Sequence, residues 1–505
     1  MLFKRRGNPD YSNPLPVSYE LRASILRKID RGEDVLPDID GREETKKDVI
    51  RAILSGSHLY LVSEEGTGKT RLARSIAKLL PPTPVIRGCP YNDHPGWPPE
   101  LLCPRCRSSK EPARKFGVEL LPGPKRFSRV QGNEYTNEAK LLGLKDIQAI
   151  AHGKSPSDPS VFTGTGVFRA NRGILFIDEL PAIRTKIQVL LHPILEEKKA
   201  ILEEYNWEHP LDLILIATGN PYGFAHVNEI PRPLLDRLEL IYMDLPEEKV
   251  EEEIILKERF KVQKAEEVKE EKEEYPTLEE AQRRAVTPWW IIEIINKAVR
   301  YSRICPFVER KPSIRATLRA LDHTCSSAEL ERKKIACLKH AYYGLRLALR
   351  GRIGLRPDLV DFENPKRTFN LCDTLAEDFL WNILENMAQE QFLLRECNRE
   401  KLSAELNNFF MEEQLPEGRL PKEMLSKYPE IERVISWMKN CAAERVNQNL
   451  LNEMEKRVFL SPEDTDFVEE YNFSAFEILV NVAVHSRLIN EAMTKGIYIP
   501  KKFRR

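Results

Sequence analysis

No run in this 505-residue chain approaches the ~20 consecutive apolar residues that a membrane-crossing helix requires. The opening Met1-Leu2-Phe3-Lys4-Arg5-Arg6 is basic, but no apolar signal region follows it. Net charge is also missing: 78 Lys+Arg face 78 Asp+Glu, for a formal charge of +0. That balance argues against nucleic-acid binding through bulk positive charge and against an acidic solvating tail. These absences lead us to expect a soluble, cytoplasmic protein without membrane insertion. With 41% hydrophobic residues, real cores are expected and wholesale disorder is not. The length predicts roughly two to four domains.

The nine cysteines are an odd number, and six of them (Cys305, Cys325, Cys337, Cys372, Cys397 and Cys441) are scattered. Small buried thiols account for these. The other three, Cys89, Cys103 and Cys106, cluster, with His94 between the first two. Cys103-Pro104-Arg105-Cys106 is a Cys-x2-Cys knuckle, a spacing that lets two thiolates reach one tetrahedral ion. The surrounding Pro- and Gly-rich sequence cannot form a long helix or a central strand, so it needs a staple. A structural zinc on Cys89, His94, Cys103 and Cys106 is favoured over a redox pair or three unrelated thiols. Asp93 is the alternative fourth ligand.

Apolar periodicity divides the chain. Residues 1–40 are polar, with one helical stretch from Tyr19 to Arg31, and resemble an arm or lead-in. Arg42 to Leu54 has helical spacing. Apolar runs at 58–62, 174–177 and 211–217 alternate with helical segments, which predicts a parallel sheet buried on both faces. Residues 247–274 are almost all Glu and Lys, as in a solvated helical connector with i,i+4 pairs. From Thr287 onward the periodicity is helical.

The first run ends at Ser63-Glu64-Glu65-Gly66-Thr67-Gly68-Lys69-Thr70, and a helix follows. This is the core of a P-loop, in which backbone N–H groups at a helix N-terminus point at phosphates. Lys69 is placed to neutralise the β and γ oxygens, and Thr70 to put its hydroxyl on Mg²⁺. Ser63 stands where the full pattern has glycine. The second run ends at Asp178-Glu179, which lifts two carboxylates to the sheet edge where ligands bind. Asp178 would hold Mg²⁺ and Glu179 would polarise the attacking water. Asn220, after the third run, is a water-orienting amide or a turn residue. Arg237 either reaches a neighbouring subunit's nucleotide or pairs with Asp236 at the surface.

Together these residues resemble the AAA+ ATPases, and within them the magnesium chelatase I-subunit and MoxR-like group. The resemblance rests on Gly143-Leu144-Lys145-Asp146-Ile147, on Ala170 to Leu180 around the acidic pair, and on Lys186 to Glu197. It extends to Ala217-Thr218-Gly219-Asn220-Pro221 as sensor 1, to Pro233-Leu234-Leu235-Asp236-Arg237 as the arginine-finger segment, and to Pro312 to Leu318 as sensor 2. It implies an α/β P-loop NTPase core with a helical lid, followed by an α-helical C-terminal region. The expected division is an arm at 1–40, a core at 41–246 with a Cys-rich insert at 87–130, a connector at 247–285, a lid at 286–360 and a C-terminal domain at 361–505. Gly66, Thr67, Gly68, Lys69, Thr70 and Asp178 are the expected ATP–Mg²⁺ residues. Glu179, Asn220, Arg237 and Arg315 are the expected catalytic set, with Arg315 folding over the nucleotide from the lid. The resemblance also implies a homo-oligomeric ring, with a hexamer expected, that remodels a protein client. Such ATPases often work with a von Willebrand A-domain partner. No metal-binding Asp-x-Ser-x-Ser pattern occurs in this chain.

The leading expectation is therefore a Mg²⁺-dependent ATP hydrolase acting as a chaperone-like motor. One alternative is a nucleic-acid-dependent motor, prompted by the local cations Arg105, Arg107, Lys110, Arg114, Lys115, Lys125, Arg126 and Arg129. Another is a nucleotide-gated scaffold with little turnover. No feature of the sequence marks a tetrapyrrole site. Trp381, Phe392, Phe409, Phe410 and Trp437 read as core aromatics of the C-terminal helices.

Overall fold

A computed structural model describes residues 15–63, 67–219, 228–244, 247, 250, 275–361, 364–390, 397–447 and 464–503, without the side chains of 442–447. Gly66, Asn220, Phe392 and the Glu/Lys stretch 251–274 lie outside the described residues. The chain divides into two compact units, Met1–Gln282 and Arg283–Arg505. Among the described residues, no helix is long and apolar enough to cross a membrane.

The first unit is built on a five-stranded sheet. In chain order its strands are β1 (His58–Val62), β2 (Thr83–Ile86), β3 (Val118–Leu121), β4 (Phe127–Gln131), β5 (Gly143–Lys145), β6 (Phe162–Gly164), β7 (Gly173–Asp178), β8 (Lys199–Leu202), β9 (Trp207–Pro210), β10 (Leu213–Gly219) and β11 (Leu238–Tyr242). The main sheet runs β11-β1-β10-β7-β4, with every pair parallel. The other six strands pair as antiparallel ribbons: β2 with β3, β5 with β6 and β8 with β9. Residues 174–177 and 214–217 are buried throughout, because a parallel sheet flanked by helices leaves neither face to solvent. All carboxyl ends of the main sheet therefore meet at one edge.

Residues 17–31, expected within a lead-in arm, form helix α1 (Val17–Arg31) and pack into the unit. Glu20 explains why. Its carboxylate is fully buried and receives the Arg126 guanidinium at the start of β4, with Arg172 3.5 Å away before β7. The Tyr275 hydroxyl donates to its other oxygen at 2.5 Å. A charged residue on a helix reads as solvent-facing until its buried partners are known. Helix α2 (Glu43–Leu54) buries Val49, Ile50, Ile53 and Leu54, and helix α3 (Lys69–Lys78) follows β1.

The second unit is largely helical. Its longer helices among the described residues are α4 (Trp289–Ser302), α5 (Ile314–Leu330), α6 (Leu338–Arg350), α7 (Pro365–Gln389), α8 (Arg399–Glu412), α9 (Pro429–Asn447) and α10 (Thr465–His485). A two-stranded ribbon, Val308–Arg310 with Gly354–Leu355, is the exception to the helical expectation. Residues of the expected lid and of the expected C-terminal domain share one hydrophobic core. Phe409 is fully buried within it, while Phe410 and Trp437 pack against it. Trp381 lies half-buried, its ring 5.1 Å from that of His485, with the Lys502 ammonium 4.0 Å above it.

Helix α10 is buried on nearly all sides, yet it carries a polar stripe of Glu470, Ser474 and Glu477. Glu470 accepts the Lys334 and Ile335 N–H groups at 2.6 and 3.1 Å, and Glu477 accepts the Leu338 N–H at 2.6 Å. The Ser474 hydroxyl donates to the Ala336 carbonyl at 2.9 Å. The stripe thus satisfies backbone groups that the entry into α6 would otherwise leave unpaired.

Burial pushes the Glu477 carboxyl up to about 8, whereas an unfolded glutamate ionises near ~4.3. Between these values the folded unit holds the extra proton, so this contribution is present at low pH and is lost as pH rises through that window. Glu477→Gln should flatten the dependence. Urea midpoints of the full chain at pH 5 and pH 8, followed by tryptophan fluorescence, should differ less in the variant than in the wild type.

Candidate functional site

The P-loop candidates sit where β1 gives way to α3. Gly68 adopts a left-handed conformation (φ 85°) just before the helix begins at Lys69. The Ser63 and Thr67 hydroxyls are 2.5 Å apart, a bond that closes the loop and that glycine at position 63 would not make. The Lys69 ammonium donates to the Ser63 carbonyl at 2.9 Å, and Arg42 donates to the Thr67 carbonyl at 2.6 Å. Lys69 and Thr70 are half-buried. The helix N-terminus and this ammonium form a cradle suited to phosphate.

The acidic pair ends β7, which β10 separates from β1 in the sheet. Thr218, fully buried near the end of β10, holds both of its members. Its hydroxyl donates to Asp178 Oδ1 at 2.9 Å and accepts the Glu179 N–H at 2.9 Å. Glu179 has φ 59°, a left-handed conformation that costs a non-glycine residue roughly 1–2 kcal/mol. Gly132 makes the close approach at this point: a Cβ there would lie 2.1 Å from the Glu179 carbonyl oxygen. Gly219 is constrained in the same way, since its Cβ would meet the Tyr60 hydroxyl at 2.1 Å.

Sequence reasoning assigned Thr218 no role of its own, although it lay within the sensor 1 wording. It named Arg129 among the local cations, for which the zero net charge favours acidic partners elsewhere, without saying which acid. The Arg129 guanidinium pairs with Asp178 Oδ2 at 2.5 Å. Parallel pairing sets Arg129 opposite Phe176 and Gln131 opposite Asp178, so strand register would have been the signal. Other cations of that stretch also make contacts within the chain, most of them at exposed positions. Arg105 donates to the Gly88 carbonyl, Arg107 to the Pro99 and Glu100 carbonyls, and Arg114 pairs with Glu111. Arg126 is buried on Glu20. Lys110, Arg114, Lys115 and Lys125 of the same stretch are exposed.

Arg237 pairs with Glu196 at 2.8 Å and also donates to the Pro233 carbonyl. Arg315 stands in the first turn of α5 in the second unit, its N–H donating to Ser313 Oγ at 3.2 Å. Asp146 caps a short helix by accepting the Ala149 N–H at 3.0 Å.

The cysteine insert forms a second candidate site. Cys89, Asp93, Cys103 and Cys106 are all buried, with ligand atoms within 4.8 Å of one another. His94, expected as the fourth ligand, is not in this group; Asp93 takes its place. The His94 Nδ1 is occupied in accepting the Gly96 N–H at 3.0 Å, and burial brings its imidazole down to about 3. Asp93 is held towards the knuckle because its Oδ2 accepts the Cys103 N–H at 2.7 Å. The Cys106 N–H points at Cys103 Sγ at 3.5 Å, and the Asp93 N–H points at Cys89 Sγ at 3.5 Å. Zn–S bonds of ~2.3 Å at tetrahedral angles put sulfurs about 3.8 Å apart. Cys89 Sγ and Cys103 Sγ are 3.7 Å apart, which fits a shared ion and is too long for a disulfide. Hydrogen bonds from Cys103 and Cys106 hold the Cys89 thiol well below the usual thiol range, while burial and the Cys89 charge push the Asp93 carboxyl up. A cation would relieve that mutual repulsion.

Residues 119–238 match the model of the AAA domain, dynein-related subfamily. The chain is 29% identical over 180 residues to the magnesium-chelatase 38 kDa subunit of Acidiphilium rubrum, covering 35% of this chain and 48% of that protein. It is 31% identical over 208 residues to the magnesium-chelatase subunit ChlI homolog of Methanocaldococcus jannaschii, covering 40% of this chain and 52% of that protein. A crystal structure from Cytophaga hutchinsonii aligns over 71% of this chain and 95% of its own, with TM-score 0.49 and 15% identity. The chain spans about half the length of the curated relatives it matches. The resemblance read from the motifs therefore holds: the chain carries an AAA domain and is a distant relative of magnesium chelatase I subunits.

Because Arg129 pairs with one Asp178 oxygen, its charge opposes a divalent cation binding there. Arg129→Gln should lower the Mg²⁺ concentration giving half-maximal nucleotide binding by about 1.4- to 5-fold, the equivalent of the ~0.2–1 kcal/mol typical of exposed ion pairs. Fluorescent-nucleotide titrations across a Mg²⁺ series measure this. A shift to higher Mg²⁺ would mean that Arg129 assists binding instead.

Proposed function

We propose that this chain, which carries an AAA domain, is a Mg²⁺-dependent ATP hydrolase working as an oligomeric motor on a protein partner. One observation carries the reading: a buried threonine hydroxyl holds Asp178 and Glu179 together at the same sheet edge as the P-loop. In this reading Gly66, Thr67, Gly68 and Lys69 bind the triphosphate, and Thr70 and Asp178 hold Mg²⁺, which would offset phosphate charge. Glu179 accepts a proton from the attacking water. Asn220 orients that water, and Arg315 closes on the nucleotide from the helical lid. Arg237 leaves Glu196 to meet a neighbouring subunit's nucleotide in a ring. The resemblance suggests a hexamer and a von Willebrand A-domain protein as partner. We further propose that Cys89, Asp93, Cys103 and Cys106 hold a structural Zn²⁺.

Glu179→Gln should reduce ATP turnover by about 10²- to 10⁴-fold, the usual contribution of a general base, while ATP binding persists. Phosphate release and nucleotide binding measured on the same preparation check this. Undiminished turnover in the variant would remove Glu179 from the mechanism, and a wild type that binds ATP without turnover would mark a nucleotide-gated scaffold. The trapped variant is also suited to capturing the client by affinity purification.

A further inference from the structure

His209 is buried beside the cysteine cluster and has no role in the zinc site as assigned above. It lies on β9, where it pairs with Ala200 of β8, so it belongs to a ribbon about a hundred residues away in sequence from the cysteines. Its Nε2 is 3.5 Å from Asp93 Oδ1, and both side chains are 0% exposed. Neither ring nitrogen of His209, nor Asp93 Oδ1, has a hydrogen-bond partner among the described residues. Buried polar groups left in that state are rare in folded proteins. The imidazole also has little room to turn away. Its ring centroid is 5.3 Å from that of Tyr91, 5.9 Å from Phe168 and 5.3 Å from Trp207.

Building on the zinc reading above, we propose that His209 is the outer-sphere partner of the metal-binding carboxylate of Asp93. The ion then clamps the cysteine insert to the ribbon β8–β9. A carboxylate that ligates a metal is itself hydrogen-bonded by a second group, which fixes its orientation and its basicity. Asp93 has one such partner in the Cys103 N–H on Oδ2. An N–H at Nε2 of His209 supplies the other on Oδ1, after a contraction of a few tenths of an ångström to normal hydrogen-bond length. The carboxylate oxygen keeps a second lone pair for the ion. His209 is not a ligand in this arrangement, since the mutually close set is Cys89, Asp93, Cys103 and Cys106. Tyr91, two residues before Asp93, extends the same contact: its hydroxyl donates to the Phe162 carbonyl at 2.9 Å, and its own carbonyl accepts from Asn171 at 2.8 Å. The ion, the carboxylate and the imidazole thus form a continuous polar connection through an aromatic cluster.

The test uses the full chain. Zinc content of the purified protein is measured by mass spectrometry, and affinity by competition with a chromophoric chelator. His209→Phe keeps an aromatic ring in the packed site but removes the N–H. It should still bind one zinc, with affinity reduced about 10- to 100-fold, the usual effect of removing an outer-sphere partner. His209→Gln, whose amide can donate to the same oxygen, should recover part of that loss. With cobalt in place of zinc, the thiolate charge-transfer band should be the same in the wild type and in His209→Phe. Zinc removal should raise hydrogen exchange in residues 199–210 as well as in the insert. Unchanged zinc affinity in both variants overturns the proposal and leaves the zinc site standing. A ligand-field change in the cobalt protein on His209→Phe makes His209 a ligand and also overturns it. A wild type without stoichiometric zinc overturns the zinc reading itself, and this inference with it.

Discussion

The first unit depends on one buried carboxylate. Glu20 brings together the guanidinium of Arg126, that of Arg172 and the hydroxyl of Tyr275. These groups come from α1, from the starts of β4 and β7, and from the segment after the Glu/Lys stretch. Arg126 also donates to the Pro81 and Arg172 carbonyls, so the cluster satisfies backbone groups as well as charges. Removing one member of such a buried set typically costs about 3–5 kcal/mol, because the remaining charge stays buried without compensation. The cluster therefore holds the amino-terminal ends of β7 and of its edge neighbour β4 and joins α1 to them.

The opposite edge of the same sheet carries the candidate site. Parallel strands deliver their carboxyl ends side by side, and Thr218 turns that proximity into a defined arrangement of Asp178 and Glu179. Gly132 and Gly219 are required because backbone or a tyrosine hydroxyl occupies the space a side chain would take. Arg129 supplies a counter-charge to Asp178 from the neighbouring strand. The zero net charge is thus a balance struck in part by pairs of this kind: Arg126 and Arg129 hold the sheet, while Lys110, Arg114, Lys115 and Lys125 stay exposed.

In the second unit the long helix α10 is buried on nearly all sides. Its polar stripe of Glu470, Ser474 and Glu477 binds the backbone of 334–338. The expected lid and the expected C-terminal domain accordingly share a core. Periodicity marked the individual helices but could not show that they pack together, since apolar spacing names a buried face without naming what covers it.

Local spacing in the sequence was sufficient for the strand and helix around the P-loop, for three of the five strands of the parallel sheet and for the acidic pair at its edge. It was sufficient because a turn that cradles phosphate and a strand buried on both faces each impose a short-range residue pattern. Only the tertiary structure chose Asp93 over its neighbour His94 in the cysteine cluster, because the Gly96 N–H and the Cys103 N–H orient two adjacent side chains differently. It alone placed Arg129 on Asp178 and His209 beside Asp93, and it alone made a polar-looking lead-in helix part of the core. These contacts join residues 49, 116 and 106 positions apart, and pairing at that separation is set by strand register and packing, which no local pattern encodes.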